Sequence, residues 1–278
     1  MRDVIPHITM KRKVQTADFF ATHPVFSLEE AAQALAPPGG RAGTVERLKY
    51  HLAAGRLVRV AREIYGVVPP GVAAERYQPD PFLVAAAIRP EGVFSYHSAL
   101  ELLGAAHTVW NQCTLFVLQR RRPLALPGTT LSFLDHPKPL RTSRSRHLGT
   151  RRVERRGRLL QVTGPERTLV EGFRRPELVA GLEELVVSAA GFPTLDLELL
   201  EKVLRRYRMR SLWAAVGWFL ERFQRTFHVP KVTLSRLERH CPKAPQYLVR
   251  DSRGGALAPR WNLILPPELT RLSEPDEP

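Results

Sequence analysis

Chain breakers at short intervals decide what the first 70 residues can become. Pro24, the stretch APPGG at 36–40 and Gly55 cut residues 14–68 into pieces too short for a long helix, each with its own periodicity. VQTADFFATH (14–23) predicts a short helix with Thr16 as N-cap and Phe19 and Phe20 facing inward. FSLEEAAQAL begins a second, with Ser27 and Glu30 at capping-box spacing and Leu28, Ala31, Ala32 and Leu35 as its apolar stripe. A third spans 44–54 and ends at Gly55, placed for a left-handed C-terminal cap. LVRV and IYGVV then predict two strands joined by Ala61-Arg62-Glu63.

Three helices closed by a β-hairpin is the order of a winged helix-turn-helix, assigned to residues 1–70, with the proline-rich stretch 71–81 as a linker. From 82 to 268 helix and strand signals alternate and predict a larger mixed α/β domain, so the fold class is α+β. PFLVAAAI and SALELLG predict helices, the latter with Ser98 and Glu101 as a capping box. CTLFVL and GTTLSFL predict strands, and RRVERRGRLLQVTG a strand or hairpin. PERTLVEGF, with Pro165 in its first turn, PELVAGLEELVVSAA, LELLEKVLRRY and LWAAVGWFLERFQ predict helices. RWNLILPPEL suggests a last strand before an acidic tail, 269–278, expected to be disordered.

Charge narrows the partners. The chain carries 42 basic and 27 acidic side chains, net +15. Residues 119–158 hold 12 of the basic and 2 of the acidic groups, so two thirds of the excess sits in 40 residues. Such a field attracts polyanions. A GC-rich genome explains arginine over lysine, but it does not explain clustering. No apolar run approaches the ~20 residues that span a bilayer. The N-terminus lacks the pattern of a secretory signal, and Cys113 and Cys241 form no CxxC. The expectation is a cytoplasmic protein without membrane, metal or cofactor.

At 100° per residue, Val45, Leu48 and Leu52 of the third helix share an arc that faces the small core. Thr44, Arg47, Tyr50 and His51 are expected on the opposite side, with Arg41 just ahead. Forked donors for guanine edges and hydroxyls for phosphates are what a helix in the major groove needs. The hairpin would be the wing, holding Arg59 and Arg62 near a phosphate backbone or minor groove. The plain alternative is that Arg47 and His51 cover a solvated helix face. A domain of this order can also serve only as a protein contact.

ADFFATHPVFSLEEAAQAL…VERLKYHLAAGRLVRVAREIYGVV resembles the N-terminal winged helix of the AbiE-type antitoxins of bacterial abortive-infection systems. The likeness continues through VFSYHSALELLG, VTGPERTLVEGFRRPELVAGLEELV and RWNLILPPEL, with Glu171 where aspartate is expected. The resemblance implies a repressor that binds inverted repeats in its own promoter as double-stranded DNA, possible homodimerisation there, and a C-terminal domain that opposes a co-encoded nucleotidyltransferase toxin.

Catalytic constellations are scarce. P-loop, GxGxxG, HExxH and GxSxG motifs are absent, as is the Glu-x-Lys of restriction-type nucleases. His97 reads as a surface or end-cap residue, and Cys113 as a small buried hydrophobe. Arg167 suits a ligand grip or an ion pair with Glu166 or Glu171. The stripe Leu212, Trp213, Val216, Leu220 and Phe223 reads as core or dimer interface. No catalytic residue is assigned. The basic segment 141–158, with Arg151, Arg152, Arg155 and Arg156, is either a solvated loop or a second nucleic-acid contact anchored by the strand LLQV. The readings carried forward are a DNA-binding repressor and antitoxin, an interaction protein that neutralises a toxin without DNA, and a nucleic-acid-modifying enzyme.

Overall fold

The computed structural model describes residues 15–249 and 254–271. The fold is mixed helix and sheet, of the α+β class. Two compact units divide at Pro90, and residues 154–158 belong to the first. The first unit therefore reaches beyond residue 70, and 71–90 are part of it.

Its elements run α1 (Thr16–Thr22), β1 (Val25–Ser27), α2 (Leu28–Leu35), α3 (Gly40–Ala53), β2 (Leu57–Ala61), β3 (Ile64–Val67) and α4 (Pro81–Ile88). The strands form an antiparallel sheet in the order β1-β3-β2. Local chemistry explains most boundaries. The Ser27 hydroxyl accepts from the Glu30 amide and the Glu30 carboxylate from the Ser27 amide, so α2 starts on a complete capping box. Gly55, at φ +67°, ends α3 in the left-handed conformation that glycine adopts without strain. Asp80 caps α4 by accepting from the amides of Phe82 and Leu83. Two expectations fail here. Thr16 is the first residue of α1 rather than its cap, which is Gln15, and α3 begins four residues early, on Gly40. Phe19, Phe26, Leu28, Leu35, Leu48, Leu57 and Tyr65 form the core, where Phe26 meets Phe19 edge-on at 5.0 Å and stacks on Tyr65 at 5.8 Å.

In the second unit, β4 (Val93–Phe94), α5 (His97–Leu102), β5 (Gln112–Val117), β6 (Leu124–Leu126) and β7 (Thr129–Asp135) lead to the hairpin β8 (Thr150–Arg155) and β9 (Arg158–Thr163). Together they make a six-stranded mixed sheet, β6-β7-β5-β4-β9-β8. Helices follow: α6 (Pro165–Arg174), α7 (Leu182–Ala190), α8 (Leu197–Tyr207), α9 (Arg210–Arg222) and α10 (Lys231–Glu238). The small sheet β10 (Gln246–Tyr247), β11 (Ala256–Ala258) and β12 (Leu263–Leu265) precedes α11 (Pro267–Arg271).

The apolar stripe on α9 is core: Leu212, Trp213, Val216 and Leu220 are buried with Phe173, Phe219 and Trp261. Trp261 lies so close to α9 that a Cβ on Gly217 would fall 2.1 Å from its ring, which only glycine permits. PELVAGLEELVVSAA is not one helix. Ala180 at φ +62° and Gly181 at φ +103° break it before α7. Ser98 does not cap α5; it lies inside the helix and its hydroxyl accepts from the Thr114 amide of β5 at 2.7 Å. Of the expected tail, 269–271 complete α11, with Leu269 buried, and 272–278 lie outside the described residues.

Candidate nucleic-acid interface

In the first unit α3 and the β2–β3 hairpin carry the residues at issue. The buried side of α3 is centred on Thr44 and Leu48, 0% and 1% exposed. Thr44 is thus withdrawn from any interface, and its hydroxyl donates to the Gly40 carbonyl one turn back at 3.0 Å. The physical reason is angular: Thr44 stands four residues, about 40°, from Leu48, and so shares its side of the helix. Val45 and Leu52 pack beside them, half-buried.

The outward face holds Ala42, Glu46, Lys49, Tyr50 and Ala53. Tyr50 is 63% exposed, with the Arg56 guanidinium over its ring at 6.0 Å. Lys49 pairs with Glu46 at 2.8 Å. Arg47 and His51 stand between this face and the core, turned toward α1. Arg47 Nη1 lies 3.5 Å from the Thr16 hydroxyl, and the His51 ring meets the edge of Phe20 at 4.9 Å. Burial, then the charges of Arg56 and Arg47, holds the His51 imidazole below its ordinary pKa.

Arg41 is exposed but engaged, donating to Glu63 at 2.7 Å with Glu29 at 3.6 Å. That hydrogen bond, outweighing desolvation, keeps the Glu63 carboxyl below the usual carboxylate range. Arg59 on β2 and Arg62 in the turn are exposed. They are the donors of this unit best placed to meet a polyanion.

The basic stretch 141–158 splits in two. Residues 154–158 belong to the first unit and their cations are held by its acids. Arg155 Nε donates to Asp80 Oδ2 at 2.7 Å and stacks its guanidinium 4.4 Å over Phe82, while Arg156 lies 3.8 Å from the same carboxylate. Arg158 donates to Glu30 of the capping box. Arg155 is therefore a structural residue and not a free phosphate contact. Arg156 and Gly157, both at positive φ, make the hairpin turn. Arg151 and Arg152 remain exposed on β8, which is an edge strand of the large sheet. Charge there also protects an open strand edge from pairing with another chain.

A wholly buried arginine anchors the chain just before β8. Arg167 on α6 is 0% exposed. Its Nε donates to Glu171 Oε1 at 2.8 Å, and Nη1 donates to the carbonyls of Arg146 at 2.7 Å and Leu148 at 3.1 Å. The Tyr207 hydroxyl donates to the same Glu171 oxygen at 2.5 Å. Burial and that carboxylate push the Tyr207 phenol pKa upward. His136, behind Arg167, is held down to about 4 by burial and then by the guanidinium.

His97 is not at the surface. It is 1% exposed, with Nε2 3.5 Å from Glu184 Oε1. The same oxygen accepts from Ser188 at 2.7 Å and from the amides of His107 and Thr108. Glu184 fastens the 107–108 turn, and no signal in the sequence joins residues so far apart along the chain.

Among the described residues no helix is long and apolar enough to cross a membrane. No protein-family model and no curated protein matches the chain. Among solved structures it is similar to the crystal structure of the RV2827C protein from Mycobacterium tuberculosis, with a TM-score of 0.59 at 18% sequence identity. The likeness covers 92% of each chain, and at that identity it is a likeness of fold.

Proposed function

We propose that the chain is a DNA-binding transcriptional repressor of the AbiE antitoxin type, whose first unit is a winged helix-turn-helix. The observation that carries the reading is the exposure of Arg59 and Arg62 on a hairpin packed against α3, which itself presents Lys49 and Tyr50 outward. The hairpin supplies forked donors for phosphates or a minor groove, and α3 supplies a helix of 14 residues for the major groove. Arg151 and Arg152 on β8 form the second contact, through phosphates alone. Arg155 is spent on Asp80, and Arg41 on Glu63.

The antitoxin role rests on the resemblance of VTGPERTLVEGFRRPELVAGLEELV and the flanking segments to that family. Two experiments test the pair of roles separately. In a shift assay with competitor, DNA from upstream of the gene binds more tightly than unrelated DNA of equal length; equal binding removes the repressor. Co-expression with the adjacent gene's product restores growth if that product is a nucleotidyltransferase toxin. Rescue without any DNA binding would favour the toxin-neutralising interaction protein.

A further inference from the structure

The groove between α1 and α3, about 690 Å³, has a composition that DNA contact does not call for. Its floor is carbon, from Phe20, Leu35 and Pro37, and its polar lining includes the guanidiniums of Arg47 and Arg56 and the imidazole of His51. Among the described residues neither guanidinium forms an ion pair: Arg47 has the Thr16 hydroxyl at 3.5 Å, and Arg56 has the Tyr50 ring. The Nδ1 atom of His51 is buried without a hydrogen-bond partner among the described residues. Burial first, and then the nearby charges of Arg56 and Arg47, hold the His51 pKa below its ordinary value, so both guanidiniums act on the ring that lines the groove.

We propose that this groove binds a small carboxylate with an apolar body, its carboxylate held by Arg47 and Arg56 and its carbon skeleton laid on Phe20, Leu35 and Pro37. A planar guanidinium fork matches a carboxylate, and the volume is that of an ordinary small-molecule cleft, ~300–1,000 Å³. A polyphosphate would set charged oxygens against an apolar floor, and a neutral oil would leave two guanidiniums with poorer partners than water. Because α3 lines the groove, the ligand neutralises charge on the helix assigned to DNA. Bound carboxylate therefore weakens DNA affinity, a consequence that rests on the proposed function.

The test titrates the full chain with octanoate and with phenylacetate by calorimetry, following the His51 ring by NMR. At least one acid binds saturably, the His51 pKa rises in the complex, and octanamide does not compete. Replacing Arg47→Gln together with Arg56→Gln weakens binding at least ~10-fold, equivalent to about 1.4 kcal/mol. Absence of saturable binding by either acid overturns the proposal, as does octanamide binding equally well or an undiminished affinity in the double variant. If that variant does not fold, the octanamide comparison and the His51 shift on the unaltered chain decide. A shift assay with and without the acid separates the two ideas. DNA affinity that falls several-fold supports the coupling. DNA affinity that stays constant while the acid binds overturns the coupling alone. A chain that binds the acid and no DNA overturns the proposed function alone.

Discussion

Helices α3 and α6 each carry an arginine directly after a glutamate, and the two arginines have opposite fates. On α6 every residue from Pro165 to Phe173 is buried, and Arg167 is enclosed with donors spent on Glu171 and two carbonyls. On α3 one side packs, the opposite side is open, and Arg47 lies between them, with the Thr16 hydroxyl at 3.5 Å as its hydrogen-bond partner among the described residues. A buried cation needs a counter-charge, because its desolvation is not otherwise recovered. Arg167 has one in Glu171, although its Nη2 is without a hydrogen-bond partner among the described residues. A cation at the edge of a groove needs no such match and stays free for an outside partner. The same contrast separates Arg155, pinned to Asp80, from Arg151 and Arg152 earlier on the same strand.

The contrast can be broken most forcefully at α6. Arg167→Met leaves Glu171 buried without its counter-charge, and ~3–5 kcal/mol of stability disappears in denaturant unfolding. Adding Glu171→Gln recovers part of that loss. A wild-type midpoint in the single variant would mean that Arg167 is as dispensable as Arg47. At α3 the packed side is as sensitive as the open side is tolerant. Leu48→Ala, with its side chain buried among Phe19, Phe26 and Leu35, costs ~2–5 kcal/mol. Lys49→Ala on the open face leaves the unfolding curve in place; an equal loss from both would contradict the orientation of α3.

Acid sharpens the picture of the α6 surroundings. His136 is held to about 4 against an ordinary value of 6.5. Between those values the unfolded chain binds a proton that the folded chain refuses, so stability falls as pH drops through that window. The shift corresponds to roughly 3 kcal/mol when complete. His136→Phe, which keeps a ring beside Phe116, should flatten the acid limb of stability measured between pH 6.5 and 4. An unchanged limb would place the acid sensitivity elsewhere.

Local signals in the sequence are strong where a single residue sets a boundary. The Ser27–Glu30 capping box, Gly55 and Pro165 all act within one turn of themselves, and the structure holds them as expected. Features that depend on distant partners are not legible in the same way. The charge sum over 119–158 counts Arg155 and Arg158 as free, because Asp80 and Glu30 are 75 and 128 residues away. A helical wheel separates inside from outside on α3 but cannot know that α1 stands beside Arg47 and His51. Thr44 misleads for a different reason: its polarity suggests an outward side chain, although its angle already sets it beside Leu48. Helix α10 gives no signal, because Lys231–Glu238 mixes polar and apolar residues without a capping side chain or glycine to mark it.

The central claim is that the free arginines of the β2–β3 hairpin meet DNA while the paired ones do not. The direct measurement is the slope of log affinity against log salt on upstream DNA, for the unaltered chain, for Arg59→Gln with Arg62→Gln, and for Arg155→Gln. The slope flattens by ~0.9 for every phosphate that is no longer neutralised, so the hairpin double variant should flatten it by up to ~1.8 and Arg155→Gln should leave it unchanged. A hairpin variant that keeps the original slope, or an Arg155 variant that flattens it, would contradict the assignment of the first unit's free cations to DNA.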